Sequence, residues 1–300
     1  MSNENRLPRA AALHDLSCVG RCALTVILPT LAAMGIQPIP LPTALLSTHT
    51  GGFTDLFFAD LTGEMEKIAA HWKTLGMDFD AIYTGFLGSA PQIDTVSRFI
   101  AEFGEGALIL VDPVMGDDGL LYSTYTPEMV DRVRELCAHA DLITPNLTEA
   151  CFLCRVPYRD TAAMTDAQVN AFAHELLDRL AELGSPAVLL TGLPHGDVIT
   201  VAGAVEGERF IFSHERISAG YPGTGDLFAS VLLGRLMGQN GPLTAPGLQA
   251  AAESAAHFTG RAIARTLEAG TPVRDGVLLE ALLGELIDRG SAPDPAGGSF

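Results

Sequence analysis

Short apolar runs alternating with amphipathic stretches constrain this chain more than any other feature. Runs at 10–16, 36–41, 80–84, 107–111, 141–144 and 187–191 read as strands. Helical periodicity fills the gaps near 21–34, 62–75, 91–103, 127–138 and 165–183. Strands spaced by ten to twenty helical residues form βαβ units, so the expectation is an α/β fold: a mostly parallel central sheet between two helical layers, a three-layer α/β/α sandwich. The pattern changes at 197–205 and 208–215, where two consecutive strand-like segments predict an antiparallel hairpin at the sheet edge. Helices dominate from Gly223 onward. The 31 glycines and 18 prolines supply the many turns such a fold needs. With no repeat and no linker, a single domain is expected over 9–288, with flexible tails at 1–8 and 290–300.

Charge excludes several functions. Thirty-six acidic residues against 18 basic ones give a net charge of −18, which leaves no electrostatic footprint for nucleic acid or anionic lipid. Residues 23–54 lack any Asp, Glu, Lys or Arg, yet Pro29, Pro38, Pro40 and Pro42 cut them well below the ~20 apolar residues of a membrane span. The polar N-terminus predicts no signal peptide. Five cysteines, an odd number in a chain this long, fit a reducing cytoplasm rather than a disulfide framework. Cys151 and Cys154 form a C-x-x-C without a second pair or an H-x-x-x-H partner, so buried structural thiols are expected rather than a redox or zinc site.

In open α/β sheets, ligands sit beyond the carboxyl ends of the strands, and four polar segments follow apolar runs. Tyr221-Pro-Gly-Thr-Gly-Asp-Leu-Phe-Ala-Ser230 opens a long helix. Its glycines let N–H groups converge on an anion where the helix dipole also favours negative charge. Asp226 is then either a plain helix cap or a proton acceptor beside that anion hole, as phosphoryl transfer to an alcohol requires. Val111-Asp-Pro-Val-Met-Gly-Asp117 offers two carboxylates for a magnesium ion held largely through water, or else a stiff turn with solvated acids. In Ile143-Thr-Pro-Asn-Leu-Thr-Glu149, the polar groups either converge on a nucleotide and its metal or cap the next helix. Ser17 and Ser47-Thr-His-Thr50 suggest a pocket for a small polar aromatic or sugar, with His49 as readily a structural histidine.

Together these segments resemble the ribokinase-like kinases, and within them the pyridoxal/pyridoxine/pyridoxamine kinases. The resemblance rests on Ser17 with Gly20, Ser47-Thr-His-Thr50, Asp80-Ala-Ile-Tyr-Thr-Gly-Phe-Leu-Gly88, Asp112-Pro-Val-Met-Gly-Asp117, Thr144-Pro-Asn-Leu-Thr-Glu149 and Gly223-Thr-Gly-Asp226, in that order. It implies ATP-dependent phosphorylation of the 5′-hydroxymethyl group of a B6 vitamer in pyridoxal 5′-phosphate salvage, by a homodimer with Mg²⁺ and K⁺. Asp226 would be the general base, with Gly223, Thr224 and Gly225 as donors to the transferred phosphoryl group. Asp112 and Glu149 would orient the metal, and Asp117, Thr144, Asn146 and Thr191 would border the triphosphate. Ser17, Thr50 and Phe86 match ring contacts, with His49 adjacent. At Phe86 relatives often carry tyrosine; phenylalanine keeps the stacking face and lacks the hydroxyl. Arg21 is the only basic residue inside the motifs, which leaves ATP charge to metal and backbone N–H groups. The segment 117–124 is a candidate lid over the phosphates. The rival readings are a hydroxymethylpyrimidine kinase, whose relatives often carry cysteine at the Asp226 position, a sugar kinase, and a non-catalytic vitamer-binding protein.

Overall fold

The computed structural model describes residues 6–217, 219–239 and 241–287. The chain opens with β1 (Arg9–Leu13), β2 (Leu16–Val19), α1 (Leu24–Ala33), β3 (Gln37–Pro40), β4 (Ala44–Thr48), β5 (Phe58–Asp60) and α2 (Thr62–Thr74). Next come β6 (Ala81–Thr84), α3 (Ala90–Phe103), β7 (Leu108–Val111), β8 (Gly116–Asp117), β9 (Leu120–Leu121), α4 (Pro127–Cys137), β10 (Leu142–Ile143), α5 (Leu147–Cys154) and α6 (Asp166–Ala181). β11 (Ala187–His195), β12 (Val198–Val205), β13 (Glu208–Glu215), α7 (Thr224–Met237) and α8 (Ala245–Ala269) complete it.

Eight strands form the main sheet in the order β13-β12-β11-β10-β7-β6-β1-β3. From β3 to β11 the pairs are parallel, and β12 and β13 form the expected antiparallel edge. The apolar runs are continuous because both faces are covered. Ile82, Ile109, Ile143 and Val188 pack with α3 to α6, whereas Tyr83, Leu110, Leu142 and Leu189 pack with α1, α7 and α8. Each such side chain contributes roughly 1.5–3 kcal/mol on leaving water. Helix starts follow local chemistry: Thr126 caps α4 ahead of Pro127, and Thr165 forms a capping box with Gln168 at α6.

The structure departs from the sequence reading near the N-terminus. Residues 10–16 were expected as one strand, but the chain leaves the main sheet after Leu13, and β2 joins β4 and β5 in a separate three-stranded sheet. The turn between them buries His14 and Asp15, and Asp15 O accepts from Leu24 N–H at 3.2 Å. The segment 117–124 forms a ribbon of β8 and β9 whose tip is tied down. Asp118 and Gly119 take left-handed conformations, the hairpin-type turn, and Gly119 N–H donates to Thr148 Oγ1 at 2.9 Å. Among the described residues, no helix is long and apolar enough to cross a membrane. Of the expected tails, 1–5 and 290–300 lie outside the described residues, as does residue 288, the expected domain end. Arg6, by contrast, pairs with Asp80 at 2.6 Å.

β1 lies between β3 and β6, so the chain leaves it toward one neighbour and later returns on the other side. The connections after β1 and β6 therefore diverge, and the crevice between them opens at the carboxyl ends of the parallel strands.

Candidate active site

The N-terminus of α7 faces this crevice. Gly223 takes the left-handed conformation that starts the helix, with φ 84°, and no side chain caps the first turn. The N–H groups of Thr224, Gly225 and Asp226 thus have no helical acceptor, and the helix dipole adds positive potential. A side chain at Gly223 would drive its Cβ into the carbonyl oxygen of Arg21. Asp226 does not cap its own helix. Its Oδ2 accepts from Ala23 N–H at 2.8 Å and from the Cys22 thiol at 3.6 Å. Ala23 stands at the start of α1, so the positive ends of α1 and α7 meet at this carboxylate. Burial raises the Asp226 pKa, and the Ala23 N–H partly offsets that. A raised pKa makes a better proton acceptor.

Asp112, Glu149 and Asp117 continue the acidic row from Asp226. Asp112 follows β7, with its N–H on Thr84 O at 2.9 Å, and burial followed by repulsion from Asp226 lifts its carboxyl to about 8. Glu149 sits in the first turn of α5, where its Oε2 accepts from Asn146 N–H at 2.8 Å and its Oε1 from Met115 N–H at 3.2 Å. Asn146 Oδ1 in turn accepts from Glu149 N–H at 2.9 Å, and its amide N–H donates to Gly116 O at 2.9 Å. The helix-capping alternative is therefore realised, and it also locks Glu149 in place. Burial and then Asp112 push the Glu149 pKa up. Thr144, just after β10, donates its N–H to Val111 O at 3.2 Å, and Thr191, within β11, donates its N–H to Pro145 O at 3.0 Å. Burial also raises Asp117, on the ribbon.

Sequence reasoning missed Asp15. It is only 7% exposed, and Ser17 donates its hydroxyl to Asp15 Oδ2 at 2.8 Å. Burial lifts its carboxyl from 3.8 to about 6. The folded chain thus holds this proton more tightly than the unfolded chain, and stability is lost as pH rises through about 6. Asp15→Asn is expected to raise the melting temperature by roughly 5 °C at neutral pH, with the gain vanishing toward pH ~4. Calorimetric scans across that range test this; a gain independent of pH would trace to something other than the buried charge.

The remaining residues divide. His49 is committed to the chain: its Nε2 donates to Arg274 O at 2.7 Å and its Nδ1 accepts from Gly51 N–H at 3.1 Å. Thr50 is exposed beside it. Phe86 is half-buried and meets Tyr125 edge to face at 6.2 Å. Arg21, the one basic residue in the motifs, pairs with Glu280 at 2.7 Å and donates to Asp275 O at 3.1 Å. Residues 273–280 therefore tie down Arg21 and His49, and Val277 N–H adds a bond to Pro222 O at 3.2 Å. Cys137, Cys151 and Cys154 are buried free thiols, Cys22 is half-buried and Cys18 exposed.

Residues 28–275 match the phosphomethylpyrimidine kinase family. The chain belongs to that family. It is 30% identical over 260 residues to a pyridoxine/pyridoxal/pyridoxamine kinase of Bordetella avium, covering 82% of this chain and 81% of the relative. A candidate phosphomethylpyrimidine kinase of Bacteroides thetaiotaomicron, crystallised with pyridoxal, is 41% identical and superposes with a TM-score of 0.84 over 94% of this chain and 96% of that one. Pyridoxal kinase from Lactobacillus plantarum is 33% identical, with a TM-score of 0.80 over 94% and 97% of the two chains. The ribokinase-like architecture expected from the motifs is the one observed.

Proposed function

We propose that this protein phosphorylates the 5′-hydroxymethyl group of a B6 vitamer with ATP, and that Asp226 is the general base. The carrying observation is the Asp226 carboxylate, anchored through one oxygen and set within the first turn of α7 whose N–H groups are uncapped. A hydroxyl at the other oxygen loses its proton to Asp226 as it attacks the γ-phosphate, whose bond to the bridging oxygen breaks with ADP leaving. The N–H groups of Thr224, Gly225 and Asp226 receive the charge on the transferred group. Phosphoryl transfer is chiefly positioning and neutralisation, and a general base contributes ~10²–10⁴-fold. Asp117, Thr144, Asn146 and Thr191 border the triphosphate; Ser17, Thr50 and Phe86 border the ring, with His49 holding that loop.

A hard divalent ion fits the opposite end of the acidic row. Mg²⁺ keeps several waters and binds through one or two carboxylates plus phosphates, which two buried carboxylates can supply. Asp112 and Glu149 would hold it, and it would supply neutralisation of the triphosphate. Burial, and then repulsion from Asp226, raises the Asp112 pKa, and a divalent ion there would relieve both. The family resemblance adds K⁺, a homodimer and a cytoplasmic setting; the five free thiols support the last.

The family description favours a second reading, phosphorylation of hydroxymethylpyrimidine. Asp226, and the pyridoxal in a relative at 41% identity, favour the first. ATP consumption with Mg²⁺ and K⁺, measured in parallel on pyridoxal, pyridoxine, pyridoxamine and hydroxymethylpyrimidine, decides between them. Vitamer-dependent turnover to the 5′-phosphate is expected. Turnover on the pyrimidine alone would place the protein in thiamin synthesis, and tight vitamer binding without turnover would make it a carrier.

A further inference from the structure

The first turn after β1 holds a carboxylate that phosphoryl transfer does not require. Asp15 is buried and has a single side-chain partner, the Ser17 hydroxyl. The charge acting on it is that of Asp226, of the same sign, and among the described residues no cation offsets it. Arg21, close in sequence, is taken by Glu280 and Asp275 O. A buried anion with no positive partner is expensive to fold around, and such a group suits a ligand that brings the missing charge. Asp15 and Asp226 meet at the start of α1, where Asp15 O accepts from Leu24 N–H at 3.2 Å and Asp226 Oδ2 from the adjacent Ala23 N–H at 2.8 Å, and the charge of Asp226 also reaches Asp112. A substrate with its hydroxyl at Asp226 and the phosphates toward Asp112 therefore directs its ring toward Asp15.

From this geometry we infer that Asp15, oriented by Ser17, binds a cationic N–H of the aromatic substrate. The inference rests on the kinase reading and adds to it what the pocket selects: a positively charged ring substrate. Two groups carry that chemistry. The pyridinium N1–H is common to all B6 vitamers, and the 4′-ammonium belongs to pyridoxamine alone. Asp15 touches substrate but no reacting atom, so its loss weakens binding far more than the chemical step.

The test compares wild type and Asp15→Asn by calorimetric binding and steady-state kinetics on pyridoxine, pyridoxamine and the benzene analogue of pyridoxine, in which C–H replaces the ring nitrogen. Asparagine keeps the shape and an acceptor for Ser17 while removing the charge. A charge-assisted bond of this type is expected to change Kd and KM roughly 10- to 100-fold, with kcat within a few-fold. If the pyridinium is the partner, D15N weakens pyridoxine and pyridoxamine alike, and wild type binds the benzene analogue as weakly as D15N binds pyridoxine. If the 4′-ammonium is the partner, only pyridoxamine weakens, and wild type prefers it to pyridoxine by the same factor. Wild-type affinity of D15N for both vitamers overturns the inference while vitamer-dependent ATP turnover keeps the kinase reading intact. Should D15N fail to fold, wild type alone decides: equal affinity for pyridoxine, pyridoxamine and the benzene analogue overturns the inference. Absence of vitamer turnover in wild type overturns the kinase reading itself.

Discussion

Asp226→Asn is expected to lower turnover at least ~10²-fold while ATP and vitamer binding stay within a few-fold. The amide oxygen can keep the bonds to Ala23 N–H and the Cys22 thiol that now hold Oδ2. The amide nitrogen then faces the substrate hydroxyl, presenting a donor where an acceptor is needed. Folding does not suffer, because burial already disfavours the charged form of this group. Calorimetric binding alongside steady-state kinetics separates the two effects, and near-normal turnover would remove Asp226 as the base. Alanine is the less informative change. It leaves α7 uncapped as before but orphans the Ala23 N–H at the start of α1, an unmet donor worth ~1–3 kcal/mol.

Gly223→Ala is the second large effect, expected to destabilise the fold by ~2–4 kcal/mol and to cut turnover by more than ~10²-fold. The left-handed φ of 84° disfavours any side chain by roughly 1–2 kcal/mol. The added carbon also meets the Arg21 carbonyl, a backbone atom that cannot swing aside. Relief requires the whole turn to shift, and the uncapped N–H groups move with it. Gly225→Ala is the matched control: its Cβ would meet nothing within 4 Å, and helix propensity favours alanine by ~1 kcal/mol. Thermal melts and turnover of the two variants, side by side, check this. Equal melting temperatures would mean that the Arg21 contact does not set the turn.

Much of the architecture was legible because both faces of the parallel strands are covered, which leaves continuous apolar runs such as 107–111 and 187–191 in the sequence. The edge hairpin was legible for the converse reason, two strand-like segments with no helix between them. The small sheet was not. β5 is only three residues long, mostly exposed and without alternation, and β2 looks like the continuation of β1 because no apolar pattern records a change of sheet. At the site, Gly223-Thr-Gly-Asp226 announced a helix start with free N–H groups, but the partner of Asp226 is Ala23, just before α1 and 203 positions away. Arg21 stood out in the sequence as the only basic residue inside the motifs, but its partner Glu280 lies 259 positions along the chain. Asp15 escaped notice because its interest lies in burial without a counter-charge, a property of surroundings rather than of residue type.

The bonds from residues 273–280 to Arg21, His49 and Pro222 have a consequence for biosynthesis. Asp15, Ser17 and the loop of His49 leave the ribosome early, yet the segment that fixes Arg21 against the Gly223 turn is translated more than 250 positions after Arg21. A nascent chain can pair its first parallel strands but lacks the bonds that hold Arg21 and Pro222 beside the Gly223 turn. The contacts that hold Arg21, His49 and Pro222 thus form only once residues 273–280 have been made.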